Sequence, residues 1–161
     1  MTTNDVVESR QSVVAKPSSK DSSLLSTTKD VSQDFSEPKI RVLIVDDLRL
    51  VCEGLQAIFD EVQDIDIVGF ALNGQDAIKQ VSKIKPDVVI LDLLMPGMGG
   101  IEATKKISKQ YPDVKILILS ATDDDSIVSE IIAAGANGYV FKSMVISELA
   151  LAIRSVHSGS Y

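Results

Sequence analysis

Five short β-rich runs recur from Lys39 onward: IRVLIV at 40–45, IDIVGF at 65–70, DVVILD at 87–92, KILILS at 115–120 and GYVFK at 138–142. Four of them are near-continuously apolar and not alternating, which is the pattern of strands covered on both faces, as in a parallel sheet. Between the runs the apolar residues change period. Val51, Leu55, Ile58 and Phe59 recur at helical spacing, as do Ala77, Ile78, Val81 and Ile84, then Ile127, Val128, Ile131 and Ile132, and finally Leu149, Ala152, Ile153 and Val156. Ile101, Thr104 and Ile107 mark a further helix in GIEATKKISKQ, while Pro86 and Pro112 each close a helix just ahead of a strand. Five β–α units in about 120 residues predict an α/β fold, a doubly wound five-stranded parallel sheet of order 2-1-3-4-5, with ligands at the carboxyl ends of strands 1 and 3.

Residues 1–38 differ in kind. They are rich in Ser, Thr, Lys and Asp with scattered single apolars such as Val13 and Phe35. Such a segment buries too little apolar surface to offset its ordering entropy, so it is expected to be a disordered extension. The domain is expected over 39–157, with 158–161 as a chain end or the start of a linker.

Composition narrows the function classes. The chain is acidic, with a formal net charge of −7, which argues against binding nucleic acid through its overall field. A single cysteine, Cys52, excludes an internal disulfide and suits a reducing compartment. No apolar stretch approaches the ~18 residues a membrane span needs, and the N-terminus lacks the charged start and apolar run of a secretory signal. A cytoplasmic location away from membranes is therefore expected.

The strand ends carry the chemistry. Strand 1 ends in Asp46 and Asp47, strand 3 in Asp92, strand 4 in Ser120 and strand 5 in Lys142. Adjacent carboxylates at the rim of a core repel unless something neutralises them, and a hard cation such as Mg²⁺ takes oxygen ligands from one or two carboxylates while keeping waters. Asp92 is then free to act as a nucleophile, as aspartates do in aspartyl-phosphate chemistry. Lys142 and the cation would stabilise charge on a transferring phosphoryl group, and the Ser120 hydroxyl would donate to one of its oxygens. Plainer readings exist for each residue taken singly. Asp46 and Asp47 suit a helix N-cap and a first-turn acid, Ser120 a capping hydroxyl, Lys142 a solvated surface charge. Their coincidence at matching strand ends favours the joint reading. His157, without companions, supplies no metal cluster; Cys52 is expected to pack as a small apolar group; the acids of DDDS at 123–126 are expected to cap the fourth helix. MPGMGG after Asp92 lacks the Gly-Lys-Ser/Thr of a phosphate-binding P-loop.

With VLIVDD, DVVILDLLMPGMGG, ILILSA and GANGYVFKS at these spacings, residues 39–157 resemble the receiver domain of two-component response regulators, and the final helix ISELALAIRSVHSGSY resembles that of the NarL/LuxR-type subfamily. The resemblance implies that Asp92 is the phosphoacceptor, Asp47 a direct Mg²⁺ ligand, Asp46 a ligand through a metal-bound water and the Leu94 carbonyl the remaining protein ligand. It further implies Ser120 as the switch hydroxyl, Tyr139 as a rotating aromatic and Lys142 as the phosphoryl-contacting cation. The implied partners are a histidine kinase or phosphotransfer protein and a second copy of the chain. DNA would be reached only through a helix-turn-helix output domain, which the sequence to Tyr161 does not include. Three features depart from the common pattern: Ser143 follows Lys142 where many receivers have proline, and the positions two past the phosphoacceptor and the switch hydroxyl are Leu94 and Thr122. Two other classes remain open, a metal-dependent phosphatase with an aspartyl-phosphate intermediate and a receiver-shaped interaction module that works without phosphate. The phosphatase normally needs a second Asp where Leu94 stands.

Overall fold

The computed structural model describes residues 37–144 and 146–160. The expected extension over 1–38 lies outside the described residues except for Glu37 and Pro38. From Ile40 the elements alternate strictly: β1 (Ile40–Val45), α1 (Arg49–Phe59), β2 (Ile65–Ala71), α2 (Gly74–Ile84), β3 (Val88–Asp92), α3 (Gly100–Gln110), β4 (Lys115–Ser120), α4 (Asp125–Ala133), β5 (Gly138–Phe141) and α5 (Ile146–Ser158). The five strands form one sheet in the order β2-β1-β3-β4-β5, with every neighbouring pair parallel. This is the doubly wound order expected from the sequence.

Strand parity explains why the strands are apolar throughout. Val42 and Ile44, Val88 and Ile90, Leu117 and Leu119 pack with Cys52 and Phe59 of α1 and with Leu149, Ile153 and Val156 of α5. The intervening residues Leu43, Val45, Val89, Leu91, Ile116 and Ile118 pack on the other face with Ala77 and Val81 of α2, Ala103 and Ile107 of α3 and Ile131 of α4. β1, β3 and β4 thus bury both of their faces, and alternation would have left one of them polar.

Boundaries moved by one residue. β2 runs on to Ala71, β3 starts at Val88, and β5 ends at Phe141, so Lys142 stands one residue beyond the strand. Its backbone N–H still bonds the Ser120 carbonyl at 2.8 Å, which ties the turn to the end of β4.

Polar side chains finish elements that backbone pairing leaves open. Asn73 caps α2 by accepting from the Asp76 N–H at 2.8 Å, and Asp124 caps α4 by accepting from the Ser126 N–H at 2.9 Å, as the acidic run predicted. At the far end of α2, Lys85 adopts a left-handed φ of 52° before Pro86. Arg41, at the start of β1, reaches over to donate to the carbonyls of Ile84 and Lys85 at 2.9 and 2.8 Å. Those carbonyls are orphans of the helix end, and a guanidinium also complements the negative end of the helix dipole. Arg41→Ala should therefore lower stability by about 1–3 kcal/mol without changing the chemistry at the opposite end of the sheet. Urea unfolding checks the loss; an unchanged midpoint would mean that water satisfies those carbonyls equally well.

A candidate phosphoacceptor site at the carboxyl end of the sheet

The parallel register sets the site. Val45 of β1 pairs with Leu91 of β3, so the next residues along, Asp46 and Asp92, emerge side by side. Parity then sorts the polar residues. Asp46, Asp92 and Lys142 continue the series that faces α1 and α5, while Ser120 and Tyr139 continue the series that faces α4. Asp46, Asp92 and Ser120 are buried, with 2%, 3% and 1% of their surface exposed, whereas Asp47 faces solvent.

The carboxylate oxygens of Asp46, Asp47 and Asp92 come within 4.8 Å of one another. One ammonium meets them. Lys142 Nζ lies 3.0 Å from Asp92 Oδ1 and 3.9 Å from Asp46 Oδ2. Asp46 Oδ1 accepts the Leu48 N–H at 2.9 Å, and the Leu94 N–H approaches Asp92 Oδ1 at 3.4 Å. Asp46 Oδ2 is buried and has no hydrogen-bond donor among the described residues. Three negative charges against one positive charge, with an acceptor left over, form an all-oxygen set suited to a hard divalent cation or its waters. The three carboxylates among the predicted Mg²⁺ ligands therefore fit such an ion.

Electrostatics agree. Burial pushes the Asp46 carboxyl above its ordinary 3.8, and the charges of Asp92 and Asp47 add to the shift, while the Leu48 N–H and Lys142 oppose it. A carboxyl raised in the folded state binds its proton more readily folded than unfolded. Its contribution to metal-free stability is thus most favourable at acid pH and declines as pH rises from about 3.8 through the raised value. Asp46→Asn removes the buried charge and keeps the acceptor for Leu48. In metal-free protein it should raise stability at pH 7 by about 1–2 kcal/mol, with the gain vanishing near pH 3.8. Thermal unfolding at both pH values checks this; a variant less stable than the parent at pH 7 contradicts it.

On the α4 side a chain of hydrogen bonds begins at Ser120. Its Oγ accepts the Thr122 N–H at 3.1 Å, Thr122 Oγ1 accepts the Asp124 N–H at 3.2 Å, and Asp124 caps α4. The Tyr139 hydroxyl donates to the Thr122 carbonyl, and its ring meets Phe141 edge-on at 5.4 Å. Thr122 thus links Ser120, Tyr139 and the start of α4. In the sequence Thr122 stands out only as a departure from the common pattern. Most of its role runs through backbone atoms, so its residue type carries little signal of it. Leu94 is 75% exposed just beyond Asp92. Cys52 is buried as expected, its thiol donating to the Asp46 carbonyl at 3.6 Å, and His157 is exposed.

Comparison with known proteins gives a consistent result. Residues 42–154 match the family described as the response regulator receiver domain. The transcriptional regulatory protein LiaR of Bacillus subtilis is 41% identical over 120 residues, which cover 74% of this chain and 57% of LiaR. The response regulator UvrY of Escherichia coli is 42% identical over 120 residues, covering 74% of this chain and 55% of UvrY. Among solved structures, the signal receiver domain of a NarL response regulator from Mycobacterium tuberculosis superposes with a TM-score of 0.73 at 29% identity, covering 76% of this chain and 99% of that one. The chain spans about half the length of the curated relatives it matches, and the matched half is their receiver part. Among the described residues no helix is long and apolar enough to cross a membrane.

Proposed function

Since the chain belongs to the response regulator receiver domain family, with NarL/LuxR-type regulators among its relatives, we propose that it accepts a phosphoryl group on Asp92 from a histidine kinase or phosphotransfer protein and uses the modification to switch a downstream output. The observation that carries the proposal is the pairing of buried Asp92 with Lys142 at 3.0 Å beside two further carboxylates. A nucleophilic carboxylate needs its approach to a phosphoryl group, itself anionic, to be neutralised, and the Lys142 ammonium is positioned to do part of that.

Asp92 attacks phosphorus in line with the donor's leaving group, an imidazole nitrogen when the donor is phosphohistidine. The P–N bond breaks as the acyl phosphate forms. Lys142 stays with the phosphoryl oxygens, and the Ser120 hydroxyl donates to one of them. Receivers normally bind Mg²⁺ at such an acidic pocket. Asp47, Asp92 and the Leu94 carbonyl would hold the ion directly and Asp46 through a water, supplying the charge neutralisation that one lysine cannot complete. Drawing Ser120 toward the phosphoryl group would shift Thr122, and with it the Tyr139 hydroxyl and the α4 cap, so the face made by α4, β5 and α5 would change. The domain acts as a switch and not as a turnover enzyme. Its output is proposed to be transcriptional, through a DNA-binding module of the kind that the relatives' names as transcriptional regulators suggest.

Incubation with acetyl phosphate and Mg²⁺ tests the reading. One stable phosphoryl group per chain is expected. Steady phosphate release without an adduct would indicate a phosphatase, a role for which Leu94 stands where the second acid is needed. No modification under any donor would indicate a phosphate-independent interaction module.

A further inference from the structure

We propose that the groove between α3 and α4 is a docking site for a basic amphipathic helix of a partner protein. The groove has a volume of about 500 Å³ and lies beside the proposed phosphoacceptor. Its floor is Leu93 and Leu94, and its walls are Ile101 of α3 and Ile127 of α4. Among the described residues Leu94 is the second most exposed large apolar residue after Leu50. An apolar floor between two helices is the shape that receives the nonpolar stripe of a third.

Charge names the complement. Glu102 and Glu130 border the groove, and the exposed run Asp123, Asp124 and Asp125 leads into the α4 wall. Lys105 is the one cation of the lining, and Lys106 pairs with Glu102 at 3.3 Å. The rim is therefore net acidic. It repels an acidic surface such as a second copy of this chain, whose net charge is −7, and attracts lysine or arginine beside the apolar stripe.

The groove is built from both halves of the proposed switch. Leu93 and Leu94 directly follow Asp92. A Cβ on Gly100 would lie 2.7 Å from the Asp92 carbonyl oxygen, so the absence of a side chain there lets the first turn of α3 sit on the end of β3 beside that floor. Ile127 stands in the first turn of α4, which hangs from Ser120 through Thr122 and Asp124. A group bridging Asp92 and Ser120 would thus act on floor and wall together. This dependence on phosphorylation rests on the function proposed above; the docking itself does not.

The test uses a fluorescein-labelled helical peptide of about 14 residues, four turns, with leucines on one face and lysines elsewhere, and its twin with glutamates for the lysines. The lysine peptide should bind, with amide shifts confined to the β3–α3 loop, the start of α3 and α4. The glutamate twin should not bind. Glu130→Lys should weaken binding about fivefold at low salt, while Glu148→Lys on α5, outside the groove, should leave it unchanged. Equal binding of both peptides, shifts that map elsewhere, groove shifts that arise from self-association, or no binding at all would overturn the proposal. After acetyl phosphate treatment, with the adduct followed by mass, the affinity should change more than threefold. An adduct with unchanged affinity overturns the coupling. Failure to form an adduct contradicts the Asp92 reading instead, and the peptide experiment on unmodified protein still decides the docking.

Discussion

Asp47→Ala is expected to form acyl phosphate at least a hundredfold more slowly than the parent in the presence of Mg²⁺, while folding normally. Asp47 is the exposed member of the three-carboxylate cluster and makes no hydrogen bond or ion pair among the described residues, so its removal costs the fold little. The cluster contains one neutralising ammonium, Lys142, already shared between Asp92 and Asp46. Any further positive charge has to be recruited, and Asp47 is the carboxylate most open to an ion arriving from water. A metal ion acting on phosphoryl oxygens contributes several kcal/mol at the transition state, and each ~1.4 kcal/mol lost is a factor of ten in rate. Rates of adduct formation with acetyl phosphate, measured across Mg²⁺ concentrations, check this. Parent-like phosphorylation at low Mg²⁺ would show that Asp47 is not a ligand.

Leu94→Asn is expected to shorten the lifetime of the phosphorylated protein by about one to two orders of magnitude. The acyl phosphate is lost when water attacks phosphorus in line. A side chain that hydrogen-bonds that water fixes its direction, and losing such orientation is worth a few kcal/mol at most. Leucine has neither donor nor acceptor. Leu94 is too exposed to seal the site against water, so its effect lies in failing to orient the water and not in excluding it. Thr122 is tied to the start of α4, its Oγ1 accepting the Asp124 N–H, its amide donating to Ser120 Oγ and its carbonyl accepting from Tyr139. A slowly decaying signal suits an output that acts over minutes. Following phosphate loss after donor removal in parent and variant settles the point; equal rates would sink this account of Leu94.

The fold and the acidic site were legible in the sequence for one shared reason. A parallel strand with both faces buried reads as an unbroken apolar run, so its end is marked by the first polar residue. At Asp46, Asp92 and Ser120 that residue is also a member of the candidate site. Period changes located the helices, and the acids before α4 signalled its cap. Strand ends were off by a residue where side chains alone carried the signal. Lys142 was read as part of β5, because the apolar run gives no sign that pairing stops at Phe141. Arg41 was hidden because it serves carbonyls 43 and 44 residues away. Carbonyls look the same for every residue type, and the linking role of Thr122 was hidden for the same reason. That Asp46 Oδ2 meets no hydrogen-bond donor among the described residues likewise depends on packing, which a one-dimensional pattern does not contain.

The most direct test of the account is the intact mass of the parent and of Asp92→Asn after incubation with acetyl phosphate and Mg²⁺, followed by peptide mapping of any adduct. The account predicts a single phosphoryl group on the parent, mapped to Asp92, and none on the variant. A parent that gains no phosphoryl group, or an Asp92→Asn chain that gains one as readily as the parent, would contradict it.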